Sequence, residues 1–99
     1  MIKIALDVSS PSLIDRRIDE FLQSIPSSQE YRVANFDCRI LDEYNASTLE
    51  EISNCTRLAG SGSLIDCVVN WADGDTVYVL TDGYFPSRNI PKNIKIWEK

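Results

Sequence analysis

Oxygen-bearing side chains fall wherever the patterning of this chain changes. Asp7 and Ser9 close the first apolar run, Asp37 closes the second, Ser63 ends the glycine-dense stretch Gly60-Ser61-Gly62-Ser63, and Asp82 follows the run from Thr76 to Leu80. Two or three carboxylates with several hydroxyls make a hard, all-oxygen set. Such a set suits magnesium, manganese or calcium and not zinc or copper. Histidine is absent, and the three cysteines, Cys38, Cys55 and Cys67, contain no C-x-x-C pair. These facts remove the usual zinc ligand sets, the Ser-His-Asp and Cys-His nucleophile arrangements, and any multi-bridge disulfide framework. All three thiols are expected to be reduced, in a cytoplasmic setting.

The elements that must position these groups are legible in the hydropathy pattern. Ile2 to Val8 reads as a buried strand stopped by Asp7 and the turn signal Ser9-Ser10-Pro11-Ser12. Ile14, Ile18, Phe21, Leu22 and Ile25 then recur at helical spacing, with Asp15, Arg16, Arg17, Asp19 and Glu20 on the other face and Pro26 as the stop. Tyr31 to Phe36 and Ile40 to Tyr44 read as two strands joined by the tight Asp37-Cys38-Arg39 connection of an antiparallel hairpin. A short helix follows, with Ser47 and Glu50 at capping-box spacing. The glycine loop feeds a further helix through Leu64, Ile65, Val68, Val69 and Ala72, ended at Asp73-Gly74. Thr76 to Leu80 and Ile94 to Trp97 supply the last strands. The order predicts an α/β fold: a three-layer α/β/α, Rossmann-like sandwich on a mostly parallel sheet with one antiparallel edge strand. In such sheets ligands bind beyond the carboxyl ends of the strands, where Asp7, Ser9, Ser63 and Asp82 all fall.

With 99 residues, the chain is expected to form one domain, residues 1–99. At 43% apolar and 25% charged its composition is that of an ordinary globular protein. The 10 Lys and Arg against 15 Asp and Glu give a net charge of -5, which repels a phosphate backbone and argues against a nucleic-acid partner. The apolar start is too short for a signal peptide, and no run approaches a membrane span, so no membrane association is expected.

Taken together these segments resemble the metal-ion-dependent adhesion site (MIDAS) of von Willebrand factor A (VWA) domains. The matching pieces are Asp7-Val8-Ser9 after the first strand, Gly60-Ser61-Gly62-Ser63 ahead of a helix, and Thr81-Asp82-Gly83 after a later strand. More narrowly, Leu6-Asp7-Val8-Ser9, Asn35-Phe36-Asp37, Val69-Asn70-Trp71, Leu80-Thr81-Asp82-Gly83-Tyr84-Phe85-Pro86 and Ile96-Trp97 are similar to the VWA-like domain that closes a group of bacterial metallopeptidase-like proteins. The resemblance covers nearly the whole chain. It implies a binding module whose Mg²⁺ or Mn²⁺ is held by an Asp-x-Ser-x-Ser loop, a Thr and a distal Asp, with one coordination position left for a partner's carboxylate. Carried over, Asp7 and Ser9 match the first two positions, Ser63 replaces the Thr, and Asp82 matches the last. Direct counting puts Pro11 at the second serine, whereas one inserted residue brings Ser12 there. Leu64 stands where an acidic residue often follows the Thr. The peptidase portion is not part of this sequence, so no protease activity is carried over.

Simpler roles compete for each residue. Ser12 with Asp15 and Ser63 with Asp66 have capping-box spacing, Asp82 precedes a glycine as turn residues do, and Asp37 can bond its own backbone. Trp71, Tyr84, Phe85 and Trp97 read as packing residues. The late glycines lack the G-x-G-x-x-G of a dinucleotide site. A Mg²⁺-dependent phosphotransferase using Asp7 as nucleophile would want an acid where Ser9 stands, and no histidine supplies a base. The expectation is therefore a non-enzymatic protein-interaction module that binds a partner's Asp or Glu through the metal. The alternative is the same fold with a degenerate, metal-free site, acting as a scaffold or oligomerisation module; the sequence does not indicate an oligomeric state.

Overall fold

The structure is a computed structural model and describes residues 2–8, 11–54, 65–81 and 90–97; for residues 11–13 and 54 it describes the backbone alone. Within them the chain runs β1 (Ile2–Asp7), α1 (Pro11–Gln23), β2 (Tyr31–Phe36), β3 (Ile40–Ala46), α2 (Leu49–Asn54), α3 (Asp66–Ala72), β4 (Val77–Leu80) and β5 (Ile94–Ile96). This is the expected order of elements. The five strands form one mixed sheet in the order β3-β2-β1-β4-β5. Strand β1 is parallel to both β2 and β4, β4 is parallel to β5, and β3 is the antiparallel edge strand on β2.

Strand β1 sits at the centre because both of its faces are apolar. Ile4 and Leu6 join Ile14, Ile18, Phe21 and Leu22 of α1, Ile52 of α2 and Val33 of β2 in one buried cluster. Ala5 joins Val68 and Ala72 of α3, Phe36, Val77, Val79 and Ile94 in another. Each fully buried large aliphatic or aromatic side chain contributes roughly 1.5 to 3 kcal/mol, so the α1 stripe is what fixes that helix to the sheet. Pro11 is well placed as its first residue, where no amide hydrogen is needed. At the other end Ser24 and Ile25 turn their amides back to the carbonyls of Phe21 and Leu22, and Pro26 prevents continuation.

Two capping expectations are corrected. Ser47 and Glu50 do not form the box of α2. Instead Thr48 Oγ1 accepts the Glu51 amide at 3.2 Å, and the Glu51 carboxylate accepts the Ser47 amide at 2.9 Å, one residue further along. Ser12, the second residue of α1, is inside the helix and not at its cap. The first described residue before α3 is Ile65, which makes no side-chain cap bond, and the capping role read for Ser63 lies outside the described residues. Helix α3 ends in a left-handed turn at Asp73 (φ 49°) and Gly74 (φ 86°), where glycine avoids the strain a Cβ would bring, and Asp75 donates its amide to the Ala72 carbonyl.

Candidate functional site

The strand order reverses direction across β1 and β4, because β2 follows β1 on one side while β4 returns on the other. The carboxyl ends of these two strands define the crevice in which open α/β sheets bind ligands. Asp7 is the last residue of β1 and is only 2% exposed. Thr81 follows β4 directly. The ladder pairs Leu6 with Leu80, so Asp7 and Thr81 come next on the two strands. The Thr81 hydroxyl donates to Asp7 Oδ2 at 2.5 Å. On its other side Asp7 is in register with the fully buried Phe36, and the Val8 amide bonds the Phe36 carbonyl at 2.9 Å, carrying the β1–β2 pairing one residue past the strand.

Two further polar side chains are buried at the same end. Asn35, with no exposed surface, gives its amide hydrogen to Asp42 Oδ1 at 3.0 Å, while its own Oδ1 has no hydrogen-bond partner. Its register partner Leu6 lies on the α1 face, so Asn35 lies on the opposite face of the sheet from Asp7. Asp37, 7% exposed, accepts the Arg39 amide at 3.1 Å and donates its own amide to the Arg39 carbonyl. That is the local turn role anticipated for it. Cys67, in the first turn of α3, has its thiol pushed up to about 11 by burial, with Asp37 and Cys38 adding to the shift. A thiol held protonated in this way is a poor nucleophile and a poor metal ligand.

Comparison of the chain with protein family models, with curated proteins and with solved structures finds no match. The chemistry of the site therefore has to be read from its own residues.

Of the expected metal ligands, Asp7 stands where the sequence put it. Ser9, Ser63 and Asp82 lie outside the described residues, and Ser12 is described by its backbone alone, at the second position of α1. Among the described residues no group of three or more His, Cys, Asp or Glu side chains is placed to hold a metal ion. The donors that are described at the switch point, a buried carboxylate and a hydroxyl, are both hard oxygens. In kind they fit Mg²⁺ or Mn²⁺. Sequence reasoning named Thr81 only as part of a motif and missed its bond to Asp7. The Leu6–Leu80 register, once known, is the signal that finds it.

A cavity of about 420 Å³ lies elsewhere, lined by Ile2, Lys3, Asp75, Thr76 and Tyr78 near the amino ends of β1 and β4. Its cation is already engaged: Lys3 Nζ bonds the carbonyls of Trp71 and Ala72 at 3.2 and 3.1 Å and pairs with Asp75 at 3.1 Å. No helix among the described residues is long and apolar enough to cross a membrane.

Proposed function

We propose that this chain is a protein-interaction module of VWA-like form that holds Mg²⁺ or Mn²⁺ at its strand ends and offers it to a carboxylate of a partner protein. The observation that carries this reading is Asp7, a carboxylate buried to 2% exposure at the end of the central strand, beside the switch point and bonded by Thr81. A carboxyl buried that deeply is held by polar partners, of which the Thr81 hydroxyl is one. The separate clustering of α1 and α2 residues with one face of the sheet, and of α3 residues with the other, supports a three-layer α/β/α arrangement.

On this reading Asp7, Ser9, Ser12, Ser63 and Asp82 would hold the cation. When bound, the ion supplies positive charge at the edge of a chain whose net charge is -5, which favours an incoming Asp or Glu over a neutral group. Tyr84 and Phe85, next in sequence after Gly83, would flank that carboxylate. The protein's own task is then to bind, not to catalyse. The absence of histidine and the protonated state of Cys67 agree with that.

Thermal melting with Mg²⁺ or Mn²⁺ against EDTA tests the proposal. A ligand that binds only the folded state adds about 1.4 kcal/mol at ten times its Kd, so the metal curves should lie several degrees higher. Superimposable curves would instead support the metal-free scaffold. A partner captured by wild-type protein should be released by EDTA and by Asp82→Ala.

A further inference from the structure

We propose that the outer edge of β3 is a second docking surface, at which an extended segment of a partner protein carrying adjacent Lys or Arg residues adds to the sheet as a further strand. The inference involves neither Asp7 nor a metal, so it stands apart from the reading above.

Among the described residues β3 is the longest strand, seven residues from Ile40 to Ala46, and β2 is its one neighbour. All of them but Ala46 are half-buried or exposed. An edge of that length presents a row of backbone donors and acceptors to any strand that can align with it, and proteins commonly guard such edges with lysine, proline or short length. The opposite edge follows that rule: β5 has three residues, with the exposed Lys95 in the middle. Strand β3 has neither lysine nor proline. Its centre is acidic instead. Asp42 and Glu43 lie there on opposite faces of the sheet, Asp42 accepting from Asn35 on the α1 face and Glu43 from Trp71 of α3. Residues 40 to 54 hold four carboxylates, Asp42, Glu43, Glu50 and Glu51, and no lysine or arginine. Arg32, paired with Glu43, and Arg39, just ahead of the strand, offset these charges only in part.

This pattern selects the occupant. A second copy added antiparallel in full overlap would set Asp42 and Glu43 opposite or diagonal to their own counterparts, and like charges so placed repel. Two adjacent basic residues on a foreign strand point to opposite faces, as Asp42 and Glu43 do, and each meets one carboxylate. Leu41, half-buried and in neither core cluster, offers an apolar contact beside them. Backbone hydrogen bonds then supply affinity, and the charges supply the choice of partner.

The experiment is a titration of isotope-labelled protein, in EDTA, with the blocked peptide Val-Thr-Lys-Arg-Thr-Val and with its acidic counterpart Val-Thr-Glu-Asp-Thr-Val. The basic peptide should shift the amide signals of Leu41 to Asn45 saturably and slow their hydrogen exchange, and the acidic one should do neither. Asp42→Asn combined with Glu43→Gln keeps an acceptor oxygen at each position and removes both charges. It should weaken the basic peptide by about 2- to 30-fold, the worth of two cross-strand charge pairs. Should that variant not fold, the two peptides on wild type still decide the matter. Equal binding of the acidic peptide, shifts centred away from β3, or none at millimolar peptide would overturn the proposal. So would protection of the β3 amides that grows with protein concentration in the absence of peptide, which would assign the edge to a second copy.

Discussion

Lys3 on β1 closes the end of α3: its ammonium lies 3.2 Å from the Trp71 carbonyl oxygen and 5.3 Å from the centroid of the same residue's ring. Helix α3 has no basic residue in its last turn, so the cation that its carbonyl end favours comes from the sheet. The Trp71 indole in turn donates to Glu43 on the edge strand β3, and Glu43 pairs with Arg32 on β2. One short helix is thus tied directly to β1 and β3, and through Glu43 to β2.

Lys3→Met keeps the aliphatic stem and removes the charge. It should cost about 1 to 2 kcal/mol, the range for a partly buried cation at a helix end with charge-assisted hydrogen bonds. Urea unfolding of the two proteins measures it. A loss within error of zero would show that water replaces the ammonium at these carbonyls without penalty.

Glu43 gives a pH dependence with a definite sign. The Trp71 indole hydrogen bond, and then the Arg32 guanidinium, hold its carboxyl below the usual value. A folded-state value lower than the unfolded one adds stability above the unfolded pKa, and that stability is lost as pH falls through the folded value. Glu43→Gln should therefore be less stable than wild type near pH 7, and the gap should close as the pH falls below the ordinary carboxylate range. Denaturant midpoints of both proteins across that range check it; a gap that persisted in acid would assign the effect to packing.

The start of α2 separates two otherwise similar hydroxyls. Thr48→Ala removes the acceptor of the Glu51 amide and should cost about 1 kcal/mol, as N-cap losses do. Ser47 offers the Glu51 carboxylate its backbone amide, which any residue but proline retains, so Ser47→Ala should stay within about 0.5 kcal/mol of wild type. Thermal unfolding of the pair reads the difference directly. The opposite ranking would restore the box at Ser47 and Glu50.

Thiol labelling distinguishes the described cysteines. Cys38 is exposed, whereas burial raises Cys67 from 9.0 to about 11, which lowers its thiolate fraction near pH 8 about a hundredfold. Iodoacetamide followed by mass spectrometry should mark Cys38 well before Cys67. Comparable rates would mean that α3 opens readily from the sheet.

The order of strands and helices was legible where the apolar period is long: both faces of Ile4-Ala5-Leu6 are buried, and the Ile14, Ile18, Phe21 and Leu22 stripe faces one way. Caps were misplaced by one residue because Ser47 and Thr48 both have hydroxyls and Glu50 and Glu51 both have carboxylates. Local spacing cannot choose between such neighbours; only the backbone that receives the bond does. The position of Asp7 followed from the end of an apolar run. Its bond to Thr81 did not, since it depends on the β1–β4 register, and neither did the Trp71 contact to Glu43, 28 residues away. Ser9, Ser63 and Asp82 fall on connections, where no periodicity fixes the backbone, and they lie outside the described residues.

The central claim is that a divalent cation binds at the carboxyl ends of β1 and β4. Paramagnetic Mn²⁺ added to isotope-labelled protein tests it most directly, since it broadens amide signals near its site. Broadening of Asp7, Val8 and Thr81 at low Mn²⁺, with Lys95 and Ser28 unaffected and EDTA restoring the spectrum, is the result expected. Signals at Asp7 and Thr81 that stay sharp while those around exposed carboxylates such as Glu43 or Glu30 broaden would contradict it.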